Sequence, residues 1–542
     1  MQGWADVSFH GSTEIPTPNL DALAADGVVL NSHYAQPVCA PSRAALLTGL
    51  YPLRFGLQEA MLHPSARGGV PVNVTLLPQH LRRLGYKCHT VGKWHLGCSS
   101  EDRMPTNRGF DSHLGFLNHG EDYITHTIVY NGSCGYDFWF NEEVLTDAHG
   151  IYSMDLFLNW AKKVIADHDP SKPLFLYLSM QAPHIGSATR LFAPPEENIA
   201  KFPHIQNADR AGYAATVDTL DQAIGAVVEA LYEKGMLGDS VIVFSSDNGA
   251  SPQGMGSDWP LRGAKQTLWE GGVRVPAFIW SPLLRGRKER VSFDVMHLVD
   301  WMPTLYQAAG GKPEDLGAID GVSQWDTLLS GSETPARQEL LHGFNPAYGS
   351  GAYRSGRYKL VVVPNDGSWD DRRLQHFGDR PSGVDLDGLA AESKVSEVLA
   401  KFHAPGSARA ATPEWRRTAS VSCELDRRSN FESAHSPYLF DIVDDPCELR
   451  NLAQEQSHIV DTMMRKLAAA ADIAAPPSTE APDPEAYPQY NNCTWGPRRN
   501  VTCSSDLQFC SATAMNNSFS AALPRLFLVG LCLAYLSRNP II

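Results

Sequence analysis

Two short, continuous apolar runs on either side of a long amphipathic segment constrain the fold of this 542-residue chain most strongly. The runs occupy residues 173–179 and 241–245 and are typical of strands in a parallel sheet that is buried on both faces. Between them, over about residues 208–234, apolar residues recur at helical spacing: Val217, Leu220, Ile224, Val227, Val228 and Leu231. A strand, a helix and a second strand in this order form a crossover, which predicts a doubly wound α/β architecture.

The chain after residue 340 has a different pattern. Residues 353–363 predict a β-hairpin, and residues 460–470 predict a closing helix. We therefore expect an α/β domain over residues 1–340 and a smaller C-terminal antiparallel-sheet domain over residues 341–472.

Three further segments differ from the rest in composition. A polar stretch at about residues 365–420 predicts a long surface insertion, and residues 473–510 predict a Pro-rich linker with a Cys-containing tail. Residues 511–542 contain an apolar run that is shorter than the roughly 17 to 25 residues of a membrane-spanning helix. The small residues, spacer and apolar run of this tail fit a lipid-anchor signal, so membrane anchorage stays open. The alternatives are a hydrophobic terminal helix and an error in the gene model.

The net charge and the cysteines exclude several classes of function. A formal charge of −15 argues against nucleic-acid partners, because the field of the chain repels phosphate backbones. A small anionic substrate remains possible, since a few convergent cations outweigh a distant field. The ten Cys lack the paired spacing of a zinc ribbon. With five glycosylation sequons they favour the secretory pathway (lysosomal, extracellular or cell surface), although the chain opens without a signal-peptide pattern.

Two motifs concentrate reactive side chains at the ends of predicted strands. Residues 39–43 read Cys-Ala-Pro-Ser-Arg, and a helix that begins there would favour negative charge at Cys39. The second motif presents Lys93 and His95 on a Gly-flanked turn after a short strand. Each motif alone fits a structural thiol or a solvated loop, but the glycines that flank Lys93 and His95 indicate a packed turn that positions both side chains.

These motifs resemble the two signatures of type I sulfatases: Cys-x-Pro-Ser-Arg followed by Leu-Thr-Gly, and Gly-Lys-Trp-His-Leu-Gly at residues 92–97. Similarity to the arylsulfatase B (N-acetylgalactosamine 4-sulfatase) branch continues through residues 17–24, 108–111, 247–249, 259–263 and 269–272. The resemblance covers about residues 3–500. It implies an alkaline-phosphatase-like α/β fold, with a large mixed or parallel sheet sandwiched by helices and a smaller C-terminal domain. It also implies hydrolysis of aryl or carbohydrate sulfate esters through formylglycine, which the formylglycine-generating enzyme makes from Cys39 in the endoplasmic reticulum.

The resemblance and the chemistry assign roles to six residues, beginning with Cys39 as the precursor of the nucleophile. Sulfate ester cleavage moves negative charge onto the sulfate and the leaving oxygen, so cations and proton donors must converge there. Arg43 and Lys93 would steady the hydrated aldehyde and the sulfate oxygens. His184 and Lys265 would bind sulfate and protonate the leaving oxygen. The sixth residue, His95, would remove a proton in the second step, so that sulfate leaves and the aldehyde forms again.

The resemblance also implies one calcium ion beside the nucleophile, whose charge would acidify the attacking hydroxyl. Asp247 and Asn248 would supply two of its ligands. The other two in the family are an Asp-Asp pair that ends the first strand just before a Gly-Trp. Here only two residues precede the Gly-Trp at residues 3–4. We therefore expect that this chain is N-terminally truncated relative to the family, and metal binding by the chain as written stays open.

Two other functions stay open beside a sulfatase. A phosphatase or phosphodiesterase of the same superfold would need a Ser or Thr nucleophile and zinc-binding His and Asp clusters, which the sequence does not present around Cys39 or His184. An inactive relative that binds sulfated glycans gains weight from the missing carboxylates, although the later catalytic positions are intact.

One disulfide is predicted from the sequence. Cys423 and Cys447 flank a predicted strand at residues 438–442 and are close enough in sequence to staple the smaller domain. Closing this loop is worth roughly 3 kcal/mol. The pairing of the other cysteines stays open.

Overall fold

A computed structural model describes residues 2–58, 62–186, 191–287, 290–331, 334–346, 349–363, 381–403, 414–423, 430, 436–476, 482–499, 501–503 and 510. The helices in these parts are α1 Pro18–Asp26, α2 Cys39–Thr48, α3 Leu77–Arg83, α4 Ser153–Asp167, α5 Glu196–Ile199, α6 Ala208–Glu233, α7 Glu270–Val273, α8 Trp301–Ala308, α9 Trp325–Ser330, α10 Leu386–Ala391, α11 Lys394–Phe402, α12 Glu414–Ala419 and α13 Ser457–Ala469. The strands are β1 Val28–Leu30, β2 His33–Tyr34, β3 Lys87–Gly92, β4 Ser112–Gly115, β5 Thr127–Tyr130, β6 Ser133–Tyr136, β7 Trp139–Phe140, β8 Glu143–Val144, β9 Leu174–Ser179, β10 Ile242–Ser245, β11 Ala277–Trp280, β12 Val291–Ser292, β13 Met296–His297, β14 Glu339–Asn345, β15 Ser350–Ser355, β16 Tyr358–Val362 and β17 Tyr438–Asp441.

Two sheets form the α/β part of the fold. The first has the strand order β8-β7-β4-β3-β9, and β3 is parallel to both β4 and β9. The second has the order β10-β11-β1-β12, with β11 antiparallel to both of its neighbours and β12 parallel to β1. Helix α4 packs on β3 and β4, and α6 packs against α1 and α4. The mixed α/β class is therefore confirmed.

The predicted crossover from β9 through α6 to β10 needs a correction. The helix and both strands form where expected, but in the described structure β9 and β10 are edge strands of two different sheets. Their apolar residues are accordingly half-buried, whereas the sequence predicted burial on both faces. Ile224 of α6 is half-buried and packs against both of the apolar clusters to which β9 and β10 contribute.

The predicted smaller sheet is present as β14 to β17, an antiparallel sheet in sequence order. The expected hairpin is β15 and β16, and the closing helix α13 packs on β15. Leu360, Phe440 and Leu467 of this region share one apolar core with Val28 and Ile279 of the second α/β sheet. The smaller sheet is thus packed directly on the catalytic part of the chain.

The segment at residues 365–420, which the sequence predicts to be a surface insertion, is helical in most of the part that the structure describes. Here α10, α11 and α12 form, and α11 packs against α1 and α6. Val395, Val398, Leu399 and Trp415 are buried in the same apolar cluster as α1. The sequence of this segment has a polar composition because the four buried residues are few and are separated by charged residues. Residues 364–380 and 404–413 lie outside the described parts.

Three disulfides join cysteines of the described residues: Cys134 to Cys510, Cys423 to Cys447, and Cys493 to Cys503. The predicted pair Cys423–Cys447 is confirmed. The Pro-rich region predicted as a linker is partly folded, because Trp495 is buried and its indole N–H donates to the Ile128 carbonyl at 3.0 Å.

None of the described helices is both long and apolar enough to cross a membrane. The tail at residues 511–542, with its predicted lipid-anchor signal, lies outside the described residues.

Candidate active site

Cys39 is the first residue of α2, and its side chain is buried. Extended backbone at Val38 leads directly into the helix. The Ser42 hydroxyl accepts the Gln36 N–H and donates to the Gln36 carbonyl, both at 3.1 Å, which ties the entering chain to the first turn. The thiol therefore lies at a helix N-terminus, a position that favours negative charge.

Cations surround the Cys39 thiol. Lys265 Nζ donates to Cys39 Sγ at 3.2 Å. Burial and Asp247 raise the pKa of the thiol, but the positive charges of Lys265 and Lys93 outweigh them, and the net effect is a lowered pKa. The site thus stabilises negative charge at residue 39.

Arg43 lies one turn into α2 and links the ends of three strands. Its guanidinium donates to the Lys93 carbonyl at 3.1 Å, to the Ser179 hydroxyl, and to Asp247 Oδ2 at 3.0 Å. Lys93 follows β3, Ser179 ends β9, and Asp247 follows β10. The ends of strands from both α/β sheets therefore meet at one guanidinium, which is the usual location of a site in an α/β fold.

The ammonium group of Lys93 donates no hydrogen bond to any described side chain or backbone carbonyl. Its Nζ is buried. Burial lowers the pKa of Lys93 to about 8, although Cys39 and Asp247 act in the opposite direction. The preceding Gly92 has φ 97°, and a Cβ there would lie 2.1 Å from the Ser179 carbonyl oxygen, so only glycine fits this turn. The turn thereby brings an unsatisfied cation into the pocket.

His95 and His184 border the pocket as neutral imidazoles. His95 Nε2–H donates to the Leu62 carbonyl at 2.9 Å, and its Nδ1 is buried without a partner in the described structure. His184 Nδ1–H donates to the Ile185 carbonyl at 2.8 Å. Burial, with Lys93 as the leading charge, holds the pKa of both histidines well below the ordinary value.

Asp247 and Asn248 follow β10 and offer oxygen atoms to a hard cation. Burial raises the pKa of Asp247, but the positive charges of Arg43, Lys93 and Lys265 act against burial, and this pKa is held well below the ordinary value. Asn248 Nδ2 donates to the Gly249 carbonyl at 2.7 Å, and its buried Oδ1 accepts no hydrogen bond from the described residues. The described residues contain no group of three or more His, Cys, Asp and Glu side chains that could hold a metal. The two oxygens thus fit part of a calcium site.

Ser179 and His119 also lie at the site, although the sequence motifs do not include them. Ser179 could have been found as the polar residue that ends the apolar run of β9. His119 lies with its ring centroid 6.3 Å from that of His95, and burial together with Lys93 and Lys265 lowers its pKa to about 4. In the sequence, the position of His119 shortly after β4 is the one feature that indicates a location near the site.

The fold is of the mixed α/β class, and the cationic pocket fits an enzyme that acts on an anionic substrate. A model of the family described as Sulfatase matches residues 1–311. The chain therefore belongs to the sulfatase family, and it is a sulfuric ester hydrolase.

Two relatives agree with this assignment, and a solved structure shares the fold. Arylsulfatase J of Mus musculus is 36% identical over 500 residues, which cover 92% of this chain and 78% of that protein. N-acetylgalactosamine-6-sulfatase of Homo sapiens is 33% identical over 349 residues, which cover 61% of this chain and 64% of that protein. The crystal structure of Ps i-CgsB in complex with k-i-k-neocarrahexaose superposes with a TM-score of 0.67 at 24% identity, covering 89% of this chain and 93% of that one. The narrower resemblance to the arylsulfatase B branch stays a prediction.

Proposed function

We propose that residue 39, after oxidation of Cys39 to formylglycine, is the nucleophile that attacks a sulfate ester. The observation that carries this proposal is the convergence of Lys265, Lys93 and Arg43 around a buried Cys39 at a helix N-terminus. Formylglycine supplies, as its hydrate, a hydroxyl that can attack and a second one that lets the product leave.

The three cations, Arg43, Lys93 and Lys265, have different roles in this proposal. Arg43 and Lys93 bind the sulfate oxygens and balance the charge that develops on them. No group among the described residues accepts a hydrogen bond from the Lys93 ammonium, so a bound anion would supply its partner. Lys265 Nζ holds a proton close to residue 39 and donates it toward the leaving oxygen.

The two histidines act in different steps. Bound sulfate places negative charge beside His184 and raises its pKa, so that the imidazole can share in protonating the leaving oxygen. His95 keeps Nε2–H on the Leu62 carbonyl, which leaves Nδ1 as the atom that takes a proton in the second step.

Asp247 and Asn248 are proposed to hold calcium. The ionised Asp247 and the unpartnered Oδ1 of Asn248 are the oxygen ligands that this ion prefers. Calcium takes roughly six to eight oxygens, so the remaining ligands come from water, substrate or residues outside the described set. When bound, the ion would supply positive charge that lowers the pKa of a neighbouring hydroxyl.

The substrate is proposed to be a sulfated carbohydrate or an aryl sulfate. A human relative named N-acetylgalactosamine-6-sulfatase supports the carbohydrate class. Three disulfides support a secretory route, which is also where the formylglycine-generating enzyme would act on Cys39. Anchorage through residues 511–542 would place the enzyme on a membrane.

The experiment is peptide mass spectrometry and a turnover assay on protein from cells that make formylglycine. The tryptic peptide that ends at Arg43 should carry an aldehyde at residue 39. The protein should hydrolyse nitrophenyl sulfate in preference to nitrophenyl phosphate, and Cys39→Ala should abolish both the aldehyde and turnover. An unmodified thiol would overturn the proposed nucleophile. An aldehyde without turnover would support the inactive glycan-binding alternative, and a preference for phosphate would support the phosphatase.

A further inference from the structure

A group of buried charges lies behind the loop that carries Lys265. Lys359 in β16, Glu270 at the start of α7, and Glu448 after β17 all have fully buried side chains. Lys359 Nζ lies 2.9 Å from Glu270 Oε1 and 2.9 Å from Glu448 Oε1. Removing three charges from water is costly even when they are paired, and none of them takes part in the proposed reaction. Their contacts with the loop of residues 262–271 indicate that they hold this loop in place.

Glu448 holds the loop at both of its ends. Its Oε2 accepts the backbone N–H of Glu270 at 2.9 Å, and its backbone carbonyl accepts Arg262 Nε–H at 3.0 Å. The loop itself is closed by the Gly271 N–H, which donates to the Arg262 carbonyl at 2.7 Å. One residue of the C-terminal region is thus bonded to the first and the last part of a loop from the catalytic region.

Lys265 lies inside this loop. Its backbone N–H donates to the Ala250 carbonyl at 2.8 Å, while its Nζ reaches Cys39 Sγ. A shift of the loop by a fraction of an ångström would therefore move the ammonium relative to residue 39. Such small displacements of an acid cost rate, because proton transfer needs hydrogen-bond contact.

We propose that Glu448 is a positioning residue for Lys265: paired with Lys359, it clamps the loop of residues 262–271 so that the lysine faces residue 39. The inference rests on the proposed role of Lys265 as the proton donor to the leaving oxygen.

The charge state of Glu448 depends on its surroundings. Lys359 from β16, Glu270 from α7 and Arg262 from the loop contact it directly. Around them lie Arg274, Arg354, Tyr34 and His342. Burial, with a contribution from Glu270, raises the pKa of Glu448 to about 7, although Lys359 lowers it. Above this pH the side chain is a carboxylate, and below it the protonated side chain resembles glutamine.

The test compares Glu448→Gln, Lys265→Ala and the double variant on a sugar sulfate and on nitrophenyl sulfate between pH 6 and 8.5. At the alkaline end, Glu448→Gln should lower kcat for the sugar sulfate about tenfold and for nitrophenyl sulfate much less. The loss should shrink toward the acidic end, where the wild-type side chain is protonated. In the Lys265→Ala background, Glu448→Gln should have little further effect.

Two further variants separate positioning from folding. Glu14→Gln weakens another buried ion pair, Arg210 with Glu14 at 2.7 Å, and should leave the substrate ratio unchanged. Arg262→Gln removes the other bond of the loop to residue 448 and should reproduce the substrate ratio of Glu448→Gln, even if the latter folds poorly.

The inference would be overturned if Glu448→Gln lowered kcat equally on both substrates and if this loss added to that of Lys265→Ala in the double variant. Such a result would indicate a general structural effect. If Lys265→Ala itself does not distinguish the substrates, the proposed role of Lys265 fails first, and the positioning role falls with it.

Discussion

At the scale of single residues, the two histidines of the candidate active site differ in which ring nitrogen carries the free lone pair. His95 donates through Nε2, so its lone pair is at Nδ1, whereas His184 donates through Nδ1 and has its lone pair at Nε2. Both are neutral because burial lowers the pKa of each well below neutrality. A neutral imidazole with an unpartnered lone pair is prepared to act as a base. His95 is such an imidazole in the absence of substrate, because its Nδ1 has no partner among the described residues.

Replacing His95 by Ala should stop the reaction after its first half. The alcohol still leaves, but residue 39 is not regenerated, so about one equivalent of nitrophenol should be released per enzyme. Steady turnover should fall by about a hundredfold or more. Rapid-mixing absorbance measurements give both quantities. His89→Ala is the matched control, since His89 is bonded to the Ser112 hydroxyl at 2.7 Å, away from the pocket. Wild-type turnover of His95→Ala would show that another group is the base.

Replacing Lys265 or His184 by Ala should damage poor leaving groups selectively. Nitrophenolate leaves with little protonation, whereas a sugar alkoxide needs a proton. We expect kcat/KM to fall by about a hundredfold on sugar sulfates and by about tenfold on nitrophenyl sulfate. Lys87→Ala, an exposed lysine that pairs with Asp111 at 3.6 Å, should change neither value. The assignment of acid and base would be contradicted if the loss of kcat/KM depended on the leaving group to the same extent in Lys265→Ala, His184→Ala and His95→Ala.

At the scale of elements, helix α11 joins the C-terminal region to the catalytic region. Its apolar face is short, with Val395, Val398 and Leu399 buried against α1 and α6. The opposite face is charged, and Lys394 and Lys401 pair with Glu397 on the helix surface. The burial explains why a segment of polar composition is folded here.

Leu399→Ala should destabilise the protein by about 2–5 kcal/mol, because it removes a leucine that is only 6% exposed and leaves a cavity. Leu389→Ala in α10 is the matched control: this leucine is 40% exposed, and the expected change is within about 0.5 kcal/mol. Urea denaturation followed by tryptophan fluorescence measures both. A Leu399→Ala variant as stable as the control would mean that α11 does not contribute to the core.

At the scale of the whole molecule, buried histidines should control stability in acid. Burial lowers the pKa of His10 and of His33 to about 3, and it lowers the pKa of several others. In the unfolded chain these groups bind protons below about pH 6.5. The unfolded state then carries more protons than the folded one, so stability falls as the pH falls through this region.

Buried carboxyls act in the opposite direction but are fewer. Burial raises the pKa of Asp137 and of Asp221 to about 7, and that of Asp21 to about 6. These groups bind protons in the folded state first, which favours folding on acidification. The melting temperature should therefore decline from pH 6.5 to pH 5, as measured by scanning calorimetry, and His33→Gln should reduce the decline. A melting temperature that rises over this range would show that the carboxyls dominate.

The sequence by itself determined the candidate residues of the site and the type of most helices and strands. Cys39, Arg43, Lys93 and His95 could be predicted as site residues because each pair lies within one local turn, where residues close in sequence are also close in space. The strands, the long helix and the hairpin followed from hydrophobic periodicity, which depends only on neighbouring residues.

Only the tertiary structure decided how the elements meet. The separation of β9 and β10 into two sheets, the folding of α11 onto α1, and the bonds of Glu448 to a loop nearly two hundred residues earlier all depend on long-range packing. No periodicity records such contacts, because the free energy that selects them comes from surfaces brought together in the folded molecule.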